Sequence, residues 1–237
     1  TDTIFGTIGG GNLEYLVIDE AKKLIDKNIA NKVMNIPLGP GIGQCCGGYV
    51  QVKLSLHSNS KDALKNENFV NNVKPNLYVF GSGHIGQALI SKLENINFNT
   101  FIIDSREDYL KMTNIKDVNY LLSKKPWEIV SKLEDNSYFI VLTHSHDYDL
   151  KILNEILKKN NTFVGLIGSL TKKKRFYKRL IDNGHNKSIV EKIECPIGID
   201  IGNSKDPNEI AFSIITRIIS IKNKLKHLSN NKIKEVI

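Results

Sequence analysis

The sequence predicts an α/β protein in which a Rossmann-like parallel sheet, with helices on both faces, follows a smaller amino-terminal α/β domain. Three observations predict this fold. From residue 76 onward, short apolar runs alternate with helical patterns, as in βαβ units. A glycine-rich turn at residues 81–86 joins the first of these runs to a helical pattern. A polar segment, residues 58–75, predicts a linker between domains at residues 1–57 and 76–237.

The amino-terminal domain is predicted to contain one helix and three strands. The helix is amphipathic, because its apolar residues recur at helical spacing, and the last strand alternates apolar and polar residues. A loop at residues 38–48 is too rich in glycine for the interior of an element. The predicted order is a strand at residues 3–8, a helix at 12–27, a strand at 32–36 and a strand at 50–56.

In the carboxy-terminal domain, buried strands and helices alternate, which is typical of a mostly parallel sheet. The predicted strands are residues 77–80, 100–103, 118–122, 138–142 and 163–167, and the predicted helices are residues 85–93, 126–133, 150–158, 171–183 and 207–226.

Composition limits the classes of protein that this chain can belong to. Apolar residues make up 41% of the 237 residues, which excludes disorder as the main state. No apolar run approaches the roughly 20 residues of a membrane span, and no signal segment opens the chain, so a cytoplasmic protein without membrane contact is expected. Three cysteines, two of them adjacent, do not form a disulfide framework.

The net charge of +8 is concentrated in the second domain, and its densest block is residues 172–179. This block is either a solvated helix face or a patch for a phosphate or an acidic partner, and Lys172 is a candidate cofactor contact. Nucleic acid is not expected as a partner, because the block matches no groove-reading motif.

The glycine turn at residues 81–86 is the strongest single motif. Gly81 permits the tight turn, Gly83 lets the backbone approach a phosphate, and Gly86 permits close packing of strand and helix. Asp104 ends the next strand, where a carboxylate can accept a hydrogen bond from a ribose hydroxyl. His84 lies inside the turn and is either a ligand contact or a solvated side chain.

His144 and His146 follow a predicted strand and should share the rim of the sheet with His84, because the carboxyl ends of parallel strands line one crevice. With a nearby carboxylate they can ligate a metal or transfer protons. In the alternative interpretation, Asp149 caps the following helix and the histidines bond locally.

Other candidate residues lie in glycine-rich segments. Cys45 and Cys46 are candidate reactive thiols or soft-metal ligands, and the alternative is packing as small apolar side chains. Cys195 faces either the core or the cleft. Gly9, Gly10 and Gly11 precede a helix and form either an anion cradle or a tight packing contact.

Taken together, the motifs resemble the XdhC/CoxI family. The motifs are GTIGGG at residues 6–11, GQCCGG at 43–48, GSGHIG at 81–86, DSR at 104–106, THSH at 143–146, GLIGS at 165–169, CPIG at 195–198 and PNEIA at 207–211. The resemblance implies a xanthine dehydrogenase accessory protein that binds molybdenum cofactor, supports its sulfuration with a cysteine desulfurase and delivers it to a molybdenum hydroxylase. Within the DSR motif, Arg106 is a candidate cofactor contact.

The resemblance has one departure. Family members carry several tens of residues before the GTIGGG motif, so we expect the amino-terminal domain to lack its first strand. A homodimer is also expected. Two other functions stay open from the residues: an NAD(P)-dependent oxidoreductase that uses the glycine turn and Asp104, and a docking scaffold without a bound cofactor.

Overall fold

The computed structural model describes residues 3–4, 6–42, 47–64, 74–112 and 114–234. The chain divides into two compact units, residues 1–72 and 73–237. Within the described residues, no helix combines the length and the apolar character that crossing a bilayer requires.

The first unit packs a helix against a small antiparallel sheet. Its elements are α1 (Gly11–Asp26), β1 (Asn31–Pro37), β2 (Tyr49–Ser55) and α2 (Ser60–Leu64), which lies within the predicted linker. Strands β1 and β2 pair with Asn31 opposite Ser55. The apolar stripe of α1 places Leu13 and Val17 on Ile36, so burial of one helix face holds this unit together.

The predicted strand at residues 3–8 is wrong for the residues of that segment that the structure describes. These residues form bends and irregular backbone without a strand partner among the described residues. Ile4 and Ile8 are exposed, and Gly6 has a φ of 79°, so neither burial nor ladder hydrogen bonds support a strand.

The second unit is a doubly wound α/β domain. In chain order, its elements are β3 (Asn76–Phe80), α3 (His84–Lys92), β4 (Asn99–Asp104), α4 (Glu107–Lys111), β5 (Val118–Leu122), β6 (Ser137–Val141), α5 (His146–Ile156), β7 (Asn161–Leu166), α6 (Leu170–Asp182), α7 (Lys187–Val190) and α8 (Pro207–Lys234). The five strands are parallel in the order β5-β4-β3-β6-β7, which confirms the predicted Rossmann-like sheet.

Alternate residues of the central strands enter two separate cores. Val79 packs with Leu89 of α3 and Ile214 of α8 on one face of the sheet. Phe80 packs with Ile152 of α5 on the other face, where α6 also packs. Because consecutive strand residues point to opposite faces, the unbroken apolar runs that predict these strands are explained by helices on both sides.

Two features differ from the sequence-based prediction. Residues 126–133 do not form an α-helix: Glu128 N–H donates to the Lys125 carbonyl, and Val130–Lys132 forms a single 3-10 turn whose bonds likewise span three residues. Helices α4 and α7 were not predicted. They have 5 and 4 residues, too few to show a helical period.

Candidate functional site

The candidate site lies where the strand order reverses. Strand β3 is central, β4 lies on one side and β6 on the other, so the connections that leave their carboxyl ends diverge and open a crevice. A narrow cleft, too tight to enclose a water molecule, occupies this position. Its lining residues are Gly81, Ile103, Asp104, Ser105, Pro126, Thr143, His144 and Tyr148.

The three glycines of the turn after β3 are explained by different physical causes. Gly81 has a φ of 118°, and a Cβ there would lie 2.4 Å from the Leu142 carbonyl oxygen. A Cβ at Gly86 would lie 2.1 Å from the Gly81 carbonyl oxygen. Gly83 has an ordinary φ of −74°, and a Cβ there would meet nothing within 4 Å. Packing therefore requires Gly81 and Gly86, whereas Gly83 leaves open space above the start of α3.

Asp104 ties the end of β4 to the glycine turn. One carboxylate oxygen accepts from the Ser82 amide at 2.7 Å and from Arg106 Nη2 at 2.9 Å, and the other accepts from Arg106 N and Nε. The Asp104 side chain is 2% exposed. Burial alone would raise its pKa, but the hydrogen bonds from Arg106 and Ser82 lower the pKa below its ordinary value.

Both oxygens of Asp104 are therefore occupied by groups of the chain itself, and this arrangement does not present a free carboxylate to a ribose. Arg106 stacks on the Tyr109 ring at 3.8 Å, and its guanidinium has a raised pKa because of the Asp104 carboxylate. Ser82 was missed from the sequence. Its hydroxyl donates to the Tyr109 carbonyl, and its position inside the glycine motif was the available signal.

The three candidate histidines are exposed at this edge of the sheet. His144 lines the cleft and meets the Tyr148 ring edge to face at 5.4 Å. His84 begins α3, and His146 begins α5 with its ring against Phe176. Across the described part of the chain, no group of three or more His, Cys, Asp or Glu side chains is arranged to hold a metal ion.

Asp149 is not the cap of α5. Ser145 is the N-cap, since its hydroxyl accepts from the Tyr148 amide. Asp149 is fully buried and accepts from the Thr143 amide and hydroxyl, at 3.0 and 2.6 Å. Its other oxygen accepts from Lys172 Nζ at 2.6 Å.

Lys172 is thus held inside the fold. Its side chain is 10% exposed, and Nζ also donates to the Ile167 carbonyl at 2.9 Å. A Cβ at Gly168 would lie 2.5 Å from the Lys172 Cδ, so this glycine makes room for the lysine. The Asp149–Lys172 pair joins the segments after β6 and β7 rather than leaving a free cation for a phosphate.

Cys195 lies beside β7, because the Leu166 amide donates to the Glu194 carbonyl. The thiol belongs to the core, with 3% of the residue exposed. Burial raises the pKa of this thiol, and Lys172 and Lys173 offset the effect only in part. This placement favours packing over exposure to the cleft. Cys45 and Cys46 lie outside the described residues.

In the first unit, Gly9, Gly10 and Gly11 have positive φ values of 118°, 73° and 64°, and their Cβ positions face open space. A left-handed backbone therefore explains these glycines. The carboxylate of Glu14 already accepts from the Ile8 amide at 3.0 Å, and its hydrogen bond with Thr7 lowers its pKa. The helix start thus holds a carboxylate of the chain itself.

A family model, the XdhC Rossmann domain, matches residues 77–218, which covers all five strands of the parallel sheet. The chain belongs to the XdhC family. This assignment confirms the family expected from the motifs.

Two curated relatives and one solved structure resemble this XdhC chain. The uncharacterized protein YqeB of Escherichia coli is 24% identical over 93% of this chain and 39% of the relative. A probable xanthine dehydrogenase subunit from Bacillus subtilis is 27% identical over 64% of this chain and 44% of the relative. The XdhC chain therefore spans less than half the length of these relatives.

The solved structure, described as a xanthine dehydrogenase from Bacillus halodurans, aligns with a TM-score of 0.72 and 19% identity. The alignment covers 94% of this chain and 84% of that chain. At this identity the likeness concerns the fold.

Proposed function

We propose that this XdhC chain is an accessory protein for a molybdenum hydroxylase of the xanthine dehydrogenase type. In this proposal it binds molybdenum cofactor, supports its sulfuration with a cysteine desulfurase and delivers it to the enzyme, acting in the cytoplasm as a homodimer. Support comes from family membership and from the B. subtilis relative, whose name refers to xanthine dehydrogenase.

The observation that carries cofactor binding is the open space at Gly83. Neither backbone conformation nor packing within the chain requires glycine there, while Gly81 and Gly86 are required by close contacts. A phosphate approaches the backbone most closely where no Cβ intervenes, and the amides at the start of α3 favour a negative charge. The residues present therefore fit the phosphate of an anionic cofactor.

His84 and His144 are exposed side chains at this edge of the sheet, one at the start of α3 and one in the cleft. We assign them the role of hydrogen-bonding the cofactor beyond its phosphate. When bound, the cofactor supplies a pterin phosphate and a molybdenum centre that accepts sulfur ligands. Cys45 and Cys46 remain the proposed sulfur contacts.

Replacing Gly83 tests this proposal with a charge-specific design. Asp and Asn are both favoured helix N-caps of nearly equal size, so both variants should fold. Gly83→Asp adds a like charge within about 4 Å of a bound phosphate, which costs more than about 1.4 kcal/mol, or tenfold in affinity. After expression in a molybdenum-replete host and anaerobic purification, we expect molybdenum and pterin content to fall at least about tenfold in Gly83→Asp and less in Gly83→Asn.

Asn186→Asp is the matched control, because it adds the same charge at the N-cap of α7. Its cofactor content should equal that of the unmodified protein. Equal cofactor content in all four proteins, or none in any of them even after cofactor is added, contradicts the proposal. Micromolar binding of NAD(H) or NADP(H) with turnover of a small alcohol or acid supports the oxidoreductase instead.

A further inference from the structure

Helix α6 carries a concentration of positive charge that the candidate site does not use. Its 13 residues include six cations and one carboxylate, Asp182, at the last position. Lys172 is buried in the ion pair with Asp149, and Lys173 lies over the Tyr177 ring. The other four cations are exposed: Lys174, Arg175, Lys178 and Arg179.

Among the residues that the structure describes, no carboxylate oxygen lies within 4.0 Å of a side-chain nitrogen of these four exposed cations. Some exposed lysines of other helices have a carboxylate partner one turn away. Such pairs are Asp19–Lys23 in α1, Glu107–Lys111 in α4 and Asp147–Lys151 in α5. In α6, by contrast, four exposed cations lie together on one face without such a pair among the described residues.

The spacing of these cations along α6 places like charges side by side, which destabilises the helix. Lys174 and Lys178 are four residues apart, as are Arg175 and Arg179, so like charges lie next to one another on the exposed face. Each such like-charge pair destabilises the helix. A complementary negative surface would remove this repulsion, so the face is suited to a carboxylate-rich partner.

Apolar side chains on the same helix indicate that the partner is a protein. Leu170 and Ile181, at the two ends of α6, are 64% and 38% exposed. Exposed apolar side chains add contact area that a partner protein can bury. The aromatic residues of α6 do not offer a stacking platform for nucleic-acid bases, because Phe176 is buried and the Tyr177 hydroxyl donates to the Ile193 carbonyl.

A second copy of this chain does not fit the same face. The chain has a net charge of +8, and a two-fold symmetric contact through α6 would bring identical cations together. The helix also begins directly after β7, at the edge of the sheet that holds the candidate cleft. A protein bound at the start of α6 therefore lies at that edge of the sheet.

We propose that the exposed face of α6, formed by Lys174, Arg175, Lys178 and Arg179 with Leu170 and Ile181 at its ends, docks an acidic surface of the molybdenum hydroxylase. This inference rests on the proposed function, since it assigns the surface through which that enzyme is reached. The cations accelerate encounter and set its salt dependence, and the apolar ends contribute contact area.

The test compares two variants with equal net charge. In the α6 variant, Lys174, Arg175, Lys178 and Arg179 are replaced by Gln. The control variant replaces four exposed lysines elsewhere in the second unit by Gln, namely Lys116, Lys132, Lys192 and Lys205. Association with a purified bacterial xanthine dehydrogenase is measured at about 50 and 300 mM salt, where screening differs strongly.

We expect the α6 variant to associate at least about tenfold more slowly at low salt, with a weaker salt dependence, and the control variant to stay within about twofold of the unmodified protein. Equal losses in both variants, or no loss in either, overturn the proposal, as does failure of the unmodified protein to bind the enzyme. Tighter binding to duplex DNA or phosphatidylglycerol vesicles, lost in the α6 variant, also overturns it by assigning the face to another polyanion.

Cofactor content separates this proposal from the one on which it rests. The α6 variant should retain the molybdenum and pterin content of the unmodified protein, because its four positions lie outside the cleft. If the unmodified protein holds cofactor and binds the enzyme, and the α6 variant binds the enzyme equally well, the docking surface alone is rejected. Failure of cofactor binding in the Gly83 experiment rejects the proposed function independently.

Discussion

Single residues of one short motif serve different physical purposes. Gly81 and Gly86 are required because the carbonyl oxygens of Leu142 and Gly81 leave no room for a Cβ. Gly83 meets no such obstacle. The same residue type therefore supports the fold at two positions, and at the third it leaves space that a ligand can use.

The pairing of Arg106 with Asp104 should stabilise the folded protein. The folded-state pKa of Asp104 is lowered, so its ionised form contributes stability above the unfolded pKa of about 3.9, and this contribution is lost as pH falls through the folded value. Arg106→Gln removes the charged hydrogen bonds. We expect a loss of about 2 kcal/mol of unfolding free energy at pH 7, shrinking below about pH 4.

Urea unfolding at several pH values measures this effect. Arg179→Gln is the control, since that guanidinium is exposed on α6 and should change stability by less than about 0.5 kcal/mol at every pH. If the loss of unfolding free energy in Arg106→Gln is the same at pH 3 as at pH 7, the Asp104 carboxylate is not the source of that loss.

At the level of elements, the Asp149–Lys172 pair connects β6, α5 and α6. The Asp149 carboxylate holds the Thr143 segment, and Lys172 holds the carbonyl of Ile167. Three chain segments that meet only in the folded state thus share one buried ion pair. The position of His144, which follows Thr143 in the cleft, depends on this connection.

A double-mutant cycle tests the connection. Asp149→Asn and Lys172→Met each leave one buried charge without its partner, and each should cost about 3–5 kcal/mol. The double variant should lose less unfolding free energy than the two single variants lose together, by at least about 1 kcal/mol, because the second substitution removes the unpaired charge. Urea unfolding of the four proteins provides the measurement.

Asp147 and Lys151 form the matched control pair, because they lie on the same helix at 2.8 Å but are about half exposed. Asp147→Asn with Lys151→Met should show a coupling of no more than about 0.5 kcal/mol. A coupling of the same size in both cycles would argue that burial of Asp149 and Lys172 is unimportant.

At the scale of the whole molecule, the two units differ in the cores that they can build. All described core clusters of the parallel-sheet unit consist of residues between 77 and 221. The first unit buries only Leu13, Val17, Leu24 and Ile36 among its described apolar residues. A small core of this kind supplies little stability by itself.

We therefore predict that residues 73–237 fold without the first unit. The isolated fragment should unfold in one cooperative urea transition with the midpoint that the same unit shows in the full chain. Residues 1–72 serve as the reciprocal control and should show at most a weak transition. A fragment of residues 73–237 that lacks cooperative unfolding contradicts the independence of the parallel-sheet unit.

Much of the fold was predictable because it follows from local patterns. The apolar runs of the five parallel strands and the glycine turn at residues 81–86 are properties of neighbouring residues. The strand predicted at residues 3–8 failed for the opposite reason. Its apolar residues satisfy a local pattern, but no strand in the described part of the chain supplies the hydrogen bonds that a strand requires.

The candidate site was predicted in its parts but not in its pairings. Asp149 follows the THSH motif closely enough to suggest a helix cap, yet its partner Lys172 is 23 residues away on another helix. Lys172 belongs to a basic block, yet it is buried whereas Lys174 and Arg175 are exposed. Such differences depend on which face of α6 packs against the sheet.

Residues close together in the chain account for the alternation of strands and helices, the family and the glycine turn that opens α3, so these features were predictable from the sequence. Which charges are already satisfied is visible only in the folded protein. Asp104, Asp149 and Lys172 are occupied inside the fold, whereas the four outer cations of α6 are not paired with described carboxylates. These differences arise because burial and pairing of charges depend on which helices and strands become neighbours.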